Sequence, residues 1–588
     1  MKKLLLSIAA IPFIAAAECS ACSNIIVTKG ASTDGSSMVS YAADSHWLYG
    51  ELYFTEGGRH AKGSTLAIRE WDSNRPLGNI AQVERTYRTV GNMNERQVII
   101  GETTWGGRLE QMDTLGIMDY GSIIYTTLQR ASSAREAIGI IVELANTYGY
   151  PSEGETFSIA DKDEAWIMDL VGKGSAAEGE PHPGIVWVAR RIPDGYVSAH
   201  ANQARITRFP WNDPENCLYA PDVASYARSR GWYSGSDEDF SFREAYCPLD
   251  FGTVRACDAR AWSACRILCD GVFTYPEDEA FGGPHTEGET LVSRPADDWL
   301  RYAMGYDLGG EMPLFVKPQR KVSVKDVADA MRDHFEGTPM DMTQDIGAGG
   351  NACPYRWRPM DFEVDGQTYV NERAIATQQT GFWFVAQARG WLPDVIGGLQ
   401  WFGCDDTATS YLTPIYASTR RAPECLRVGN GNLLKYSPTS QFWMCNRVTN
   451  ACYKMYDNMA PFVRAEVDRY EHAMMFEAVP QTDSLMLKIY SGRSGKRHGG
   501  WLAERRIRRK LTSFTCSRAD AQQSFWASLE ETLLVKFIDG NVKAQNEDGS
   551  FKHSVWSEGI PDGLEQPGYT ERWKRAVVRD NGDVLRAR

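Results

Sequence analysis

Beyond residue 21 the chain has no second long apolar run, which excludes a stable membrane span from the remainder of the protein. It also lacks an excess of positive charge. The formal net charge of -13 argues against a nucleic-acid partner, because phosphate binding needs clustered Lys and Arg. One basic run, Arg505-Arg506-Ile507-Arg508-Arg509-Lys510, stands against this trend. Its apolar neighbours Leu502, Ile507 and Leu511 predict a helix with a solvated charged face rather than a nucleic-acid patch. There is no internal repeat and no low-complexity linker. The charged and hydrophobic fractions, 24% and 43%, exclude disorder, and 588 residues are enough for a large core. Cys-x-x-Cys occurs at Cys19 to Cys22 and does not recur downstream, so a zinc site would lack its second half.

What is present begins at the N-terminus. Lys2 and Lys3, an apolar stretch from Leu4 to Ala17 and then small residues predict a secretory signal, so residues 1–21 read as a signal peptide with a possible short propeptide. Cleavage after Ala17 leaves a four-residue remnant, whereas cleavage after Ala21 frees Cys22. The protein is thus expected to be exported, to the periplasm or beyond the cell. A cysteine at a new N-terminus carries a thiol and an α-amine of pKa about 7.7–8.0, and that amine can take the thiol proton without a distant histidine. The residues around Cys22 favour this nucleophile over three alternatives that stay open: half a zinc site, a redox pair and a lipidated cysteine.

Thirteen cysteines in an exported chain permit disulfides, and Cys247, Cys257, Cys265 and Cys269 form the densest cluster, the expected place for one. Ile25 to Val27 and Met38 to Tyr41 predict two strands joined by the turn-rich segment from Gly30 to Ser37, and Gln97 to Gly101 predicts a third. A helix is predicted from Ser133 to Tyr148, followed by strands at 156–160, 164–170, 185–189 and 196–199. Pro276 to Glu289 reads as a surface loop, and a helix is predicted at 324–335. Strands return near 377–387 and 397–402, and helices follow at 463–475 and 525–537. Two sets of strands separated by helices favour an α+β fold over a doubly wound sheet. The expected division is a catalytic domain over 22–440 and a mainly helical region over 441–588.

The segments Cys22-x-x-Ile25-Ile26-Val27, Ala31-Ser32-x-Asp34-Gly35-Ser36, Asn94-Glu95, Gly154-Glu155-Thr156-Phe157-Ser158-Ile159-Ala160-Asp161 with Glu164-Ala165-Trp166, and Arg191-Ile192-Pro193-Asp194 before Asn202-Gln203 occur in that order. Together they resemble the N-terminal-nucleophile cysteine dipeptidases of the secreted dipeptidase A type, relatives of bile-salt hydrolases and penicillin V acylases. The resemblance runs from Cys22 to about Tyr416. It implies a four-layer αββα fold, a nucleophilic Cys22 whose thiolate attacks the scissile amide, and no cofactor or metal. Asp44 matches the carboxylate beside the new terminus, and Asn202 matches the side-chain oxyanion donor. A backbone N–H near Thr103, between Glu102 and Thr104, is the expected second donor. Tyr41 stands where many relatives have Arg, so either Tyr41 acts through a hydrogen bond alone or another cation replaces that Arg.

A small peptide is the expected substrate, with Glu102 and Asp161 as acidic candidates for its amine and Arg191 as a basic candidate for its acid. Trp105, Trp166 and Trp187 are expected either to line the pocket or to fill the core. Two other functions fit the same residues. One is an amidase for conjugated bile acids or penicillin V, and the other is an exported binding protein in which Cys22 merely packs.

Overall fold

The computed structural model describes residues 22–177, 179–357, 359–492 and 500–587; the expected signal segment and Cys19 lie outside them. The fold is α+β, built on two antiparallel sheets. The strand Ser23–Val27 pairs with Ser37–Asp44 on one side and Val197–His200 on the other, and Thr380–Ala388, Gly398–Cys404 and Thr413–Tyr416 complete a six-stranded sheet. The second sheet has eight strands, with Ile99–Trp105, Gly154–Ala160, Ala165–Gly172 and Ile185–Ile192 at its centre. These central strands are buried over nearly their whole length, because each sheet is covered on both faces.

The two sheets meet face to face through Ser23–Val27 and Ser37–Asp44 against Ile99–Trp105. Helices Tyr120–Leu128 and Ala134–Tyr148 pack on the eight-stranded sheet, and helices Ala259–Leu268 and Val324–Ala330 pack on the six-stranded one. Ala134–Tyr148 forms as its pattern predicts: Ser133 caps it by accepting from the Glu136 N–H, and Ala137, Ile138, Ile141, Leu144 and Ala145 are buried on one face. The sheets approach closely at Gly101, where an added Cβ would lie 2.7 Å from the Asn24 amide and 3.3 Å from Val39, so a larger residue there would displace those side chains.

Several expected boundaries shift for local reasons. Gln97 takes a left-handed conformation (φ 69°), so the third strand begins at Ile99 and runs on to Trp105. Asn94 shapes that turn by accepting from the Arg96 and Val98 N–H groups. The helix at Val324 stops at Ala330, since Arg332 turns away to pair with Glu471 at 2.5 Å and Phe335 is left-handed. Pro276 to Glu289 is only partly a surface loop, for a short helix at Glu277–Ala280 buries Glu279 and Ala280. The expected disulfide is absent: Cys247, Cys257, Cys265 and Cys269 are free buried thiols. Burial pushes the Cys265 thiol up to about 12, and the Cys247 sulfur accepts from Gln203 at 3.2 Å. These groups are packed as small apolar side chains.

Beyond residue 440 the chain is helical at Gln441–Cys452, Tyr456–Ala473, Val479–Ser491 and Trp501–Lys536. These helices dock on the six-stranded sheet through Arg389 to Asp483 (2.6 Å) and Thr515 to the Pro414 carbonyl (3.1 Å). In the basic run Ile507 is buried while Arg505, Arg506, Arg509 and Lys510 are exposed, and Arg508 pairs with Glu95 at 2.7 Å. No helix among the described residues is long and apolar enough to cross a membrane.

His200 fastens one sheet to the other, its ring nitrogens lying 2.7 Å from Thr103 Oγ1 and 2.6 Å from Ser158 Oγ. Burial, aided by the charge of Arg205, holds it down at about 3, so the ring is neutral. The unfolded chain takes up a proton near the ordinary value of 6.5 while the folded chain does not. Stability contributed by the neutral ring is therefore present above pH 6.5 and lost as pH falls from there toward 3. The expected loss is about 3 kcal/mol between pH 7 and pH 4. Melting temperatures across that range should fall less steeply for His200→Gln than for the unaltered protein; parallel curves would remove His200 as the cause.

Candidate active site

Cys22 heads the first strand and is 2% exposed. Its Sγ lies 3.7 Å from the Tyr41 hydroxyl and 3.6 Å from Glu102 Oε1, and the Tyr41 hydroxyl donates in turn to the same Glu102 oxygen. The register explains this grouping. Cys22 precedes Ser23, which pairs with Ala42, while Tyr41 and Gly101 face each other across the sheet interface. Burial, then the carboxylates of Glu102 and Asp44, push the Cys22 thiol well above its usual range. Tyr41 brings only a hydrogen bond, so it does not substitute for the charge of an Arg.

A buried positive charge lies beside the Cys22 main chain, on helix Ala259–Leu268. Arg260 is buried and donates from Nη1 to the Cys22 carbonyl (2.6 Å) and Ser23 Oγ (2.8 Å), and from Nη2 to Asn202 Oδ1 (2.9 Å). Burial, together with the nearby Arg373 charge, lowers its pKa to about 10, which leaves it a cation at neutral pH. Asp44 is fully buried and ion-paired to Arg373 at 2.7 Å, with Thr380 Oγ1 donating to its other oxygen at 2.7 Å. Burial raises the Asp44 carboxyl and these two partners oppose the rise. Asn202 follows the strand that ends at His200, takes a left-handed conformation (φ 52°) and donates from Nδ2 to the Thr104 carbonyl. Asn24 holds the Glu102 main chain to the first strand: its amide nitrogen faces the Ser23 and Glu102 carbonyls (2.9 and 3.1 Å) and its oxygen the Glu102 N–H (2.9 Å).

Glu102 has a second acidic neighbour. Its pairing partner on the next strand is Phe157, so Glu155 lies diagonally opposite on the same face, where Thr104 Oγ1 and the Tyr150 hydroxyl donate to it at 3.1 and 3.2 Å. Glu102 Oε2 and Glu155 Oε1 are buried with no donor. Burial raises both carboxyls, and the Glu102 charge raises Glu155 further.

The fold thus brings Cys22, Tyr41, Asp44, Glu102 and Asn202 together. It does not bring Asp161 or Arg191 to them. Asp161 accepts from the Ala134, Asp163 and Glu164 N–H groups, fixing the start of a helix and a turn, and Arg191 reaches Glu164 at 3.4 Å. Phe157 is the strand partner of Glu102, and Asp161 lies four residues beyond it, about 13 Å along the strand. The Thr103 side chain is committed to His200. Trp105 and Trp166 are fully buried core, and neither they nor Trp187 line the cavity at Cys22.

That cavity is small, and Tyr41, Trp71, Asp72, Tyr120 and Phe382 line it with Cys22. Among the described residues no group of three or more His, Cys, Asp or Glu side chains could hold a metal ion. Arg260, Arg373, Glu155 and Asp72 were not legible as site residues. Arg260 left one signal, a lone guanidinium in the small apolar run Ala259 to Ala264, where a buried cation must find partners. Asp72 reads as an ordinary turn residue.

The model of peptidase family C69 matches residues 61–469, which is most of the chain. The chain belongs to peptidase family C69. Among curated relatives of this C69 peptidase, a "Probable dipeptidase" of Latilactobacillus sakei is 25% identical over 412 residues, covering 66% of this chain and 72% of the relative. "Probable dipeptidase B" of Lactococcus lactis subsp. lactis is 24% identical, covering 72% and 79%. "Dipeptidase A" of Lactobacillus helveticus is 22% identical, covering 73% and 81%.

Proposed function

We propose that this C69 peptidase is an exported cysteine dipeptidase with the four-layer αββα arrangement of N-terminal-nucleophile hydrolases. The observation that carries the reading is a small cavity ending on Cys22, whose sulfur sits among Tyr41, Glu102 and a main chain held by a buried Arg260. The names of the relatives support the substrate class. In this reading processing frees the Cys22 α-amine, which takes the thiol proton, and Asp44 holds the resulting ammonium. The sulfur bonds to the scissile carbonyl carbon. Asn202, with a main-chain N–H at Thr103 or Thr104, stabilises the oxyanion. The C–N bond then breaks and the proton passes to the leaving amine. Water attacks the thioester, gives its proton to the α-amine and releases the acid, restoring Cys22.

Unblocked dipeptides should be hydrolysed at least about tenfold faster than their N-acetylated forms, because a site built for the substrate ammonium is then left with an unpaired charge. The assay compares free, N-blocked and C-blocked versions of one dipeptide with a bile-salt conjugate and penicillin V. Faster hydrolysis of the last two would establish the amidase reading instead.

A further inference from the structure

The cavity at Cys22 is closed by a hairpin, Thr65–Arg69 paired with Pro76–Ala81, whose turn carries Trp71 and Asp72. The Trp71 N–H donates to Asp119 Oδ2 at 2.7 Å, and its ring lies so close over Gly121 that an added Cβ there would come within 2.3 Å of it. Trp71 stacks on Tyr125 at 4.4 Å, and Tyr53 packs edge-on against both. The turn is therefore clamped to helix Tyr120–Leu128, and one face of the cavity is an aromatic wall. Asp72 is held over this wall by the Tyr120 hydroxyl, which donates to Oδ1 at 2.8 Å. Among the described lining residues Asp72 carries the one formal charge, and no Lys or Arg is present.

A pocket with one carboxylate and several aromatic faces attracts a cation and repels an anion. An acyl group that lacks positive charge, such as a bile acid or phenoxyacetyl, has nothing to offer Asp72. The N-terminal residue of a dipeptide does, for it forms the acyl part of the thioester and keeps its α-ammonium. We propose that Asp72 binds the substrate α-ammonium, and that Trp71, Tyr120, Tyr125 and Phe382 receive the first side chain, which makes the enzyme selective for dipeptides with an unblocked apolar or aromatic first residue. This rests on the dipeptidase reading and adds the residue that enforces it. Asp72 takes the role that sequence considerations gave to Glu102 and Asp161, one of which is committed to the thiol and the other to a helix start.

The test uses the purified processed enzyme with Phe-Ala, Glu-Ala and N-acetyl-Phe-Ala. The unaltered enzyme should prefer Phe-Ala to Glu-Ala by at least about tenfold in kcat/KM, since a second carboxylate would face Asp72. Asp72→Asn should lower kcat/KM on Phe-Ala by about tenfold or more and shrink the gap between Phe-Ala and its N-acetyl form to about threefold or less. Asp72→Glu should restore part of that gap. The turn is exposed, so an unchanged melting temperature separates these effects from misfolding. Dipeptide cleavage with the gap intact in Asp72→Asn overturns the assignment of Asp72 alone. Cleavage of penicillin V without cleavage of any dipeptide overturns both this inference and the dipeptidase reading.

Discussion

Cys22→Ala is expected to abolish turnover, by on the order of a millionfold, while the melting temperature stays within a few degrees of the unaltered protein. The thiol lines the cavity as the proposed nucleophile, and its hydrogen bonds to Tyr41 and Glu102 are long contacts whose loss costs the fold little. Cys22→Ser should be far slower than the parent but above the alanine variant, because a hydroxyl ionises much less readily than a thiol. Intact-mass or Edman analysis of the active form should place Cys22 at the N-terminus. A longer or blocked active form would remove the α-amine as base, and full activity in Cys22→Ala would remove the residue from the mechanism.

Replacing Arg260 with Met should lower kcat by about a hundredfold or more and leave KM nearly unchanged. Arg260 does not itself line the cavity. It acts as a positioning residue, tying the Cys22 carbonyl to the Asn202 side chain. Without it Asn202 loses the donor to its Oδ1, and a side chain held less firmly complements the oxyanion of the transition state less well. Asn202→Ala should give the same kcat loss. The double variant should be little worse than either single one, since residues that act as a unit are not additive. Arg260→Lys should recover part of the rate. Additive losses would mean that the two residues act separately, and a change confined to KM would move Asn202 to substrate binding.

Much of this protein was legible without its structure because the relevant physics is local. The apolar runs from Ile25 to Val27 and Met38 to Tyr41, the turn between them and the capped amphipathic helix after Ser133 depend on neighbours a few residues apart. The chemistry of a cysteine exposed by processing is likewise a property of one residue and its flanks. The catalytic neighbourhood as a whole is not local. Arg260 lies more than 230 positions from Cys22, Arg373 more than 320 from Asp44, and Glu155 more than 50 from Glu102. Each contact exists only because two sheets meet at Gly101 and helices close over their outer faces.

The residues that sequence considerations misplaced share one cause. Asp161 and Arg191 are charged residues at strand ends, and a strand end points to a pocket or to a turn according to which end of the sheet the nucleophile occupies. The clustered cysteines 247 to 269 are close along the chain, yet each is a free thiol, and the Cys247 sulfur takes Gln203 as its partner instead. The sequence by itself determined the fold class, the nucleophile candidate and the set of strands that carries it, since these follow from periodicity and covalent chemistry. Only the tertiary structure decided which charges surround the thiol and which acid faces the cavity. Buried electrostatics depend on distances through space, and those are set by packing across the two sheets.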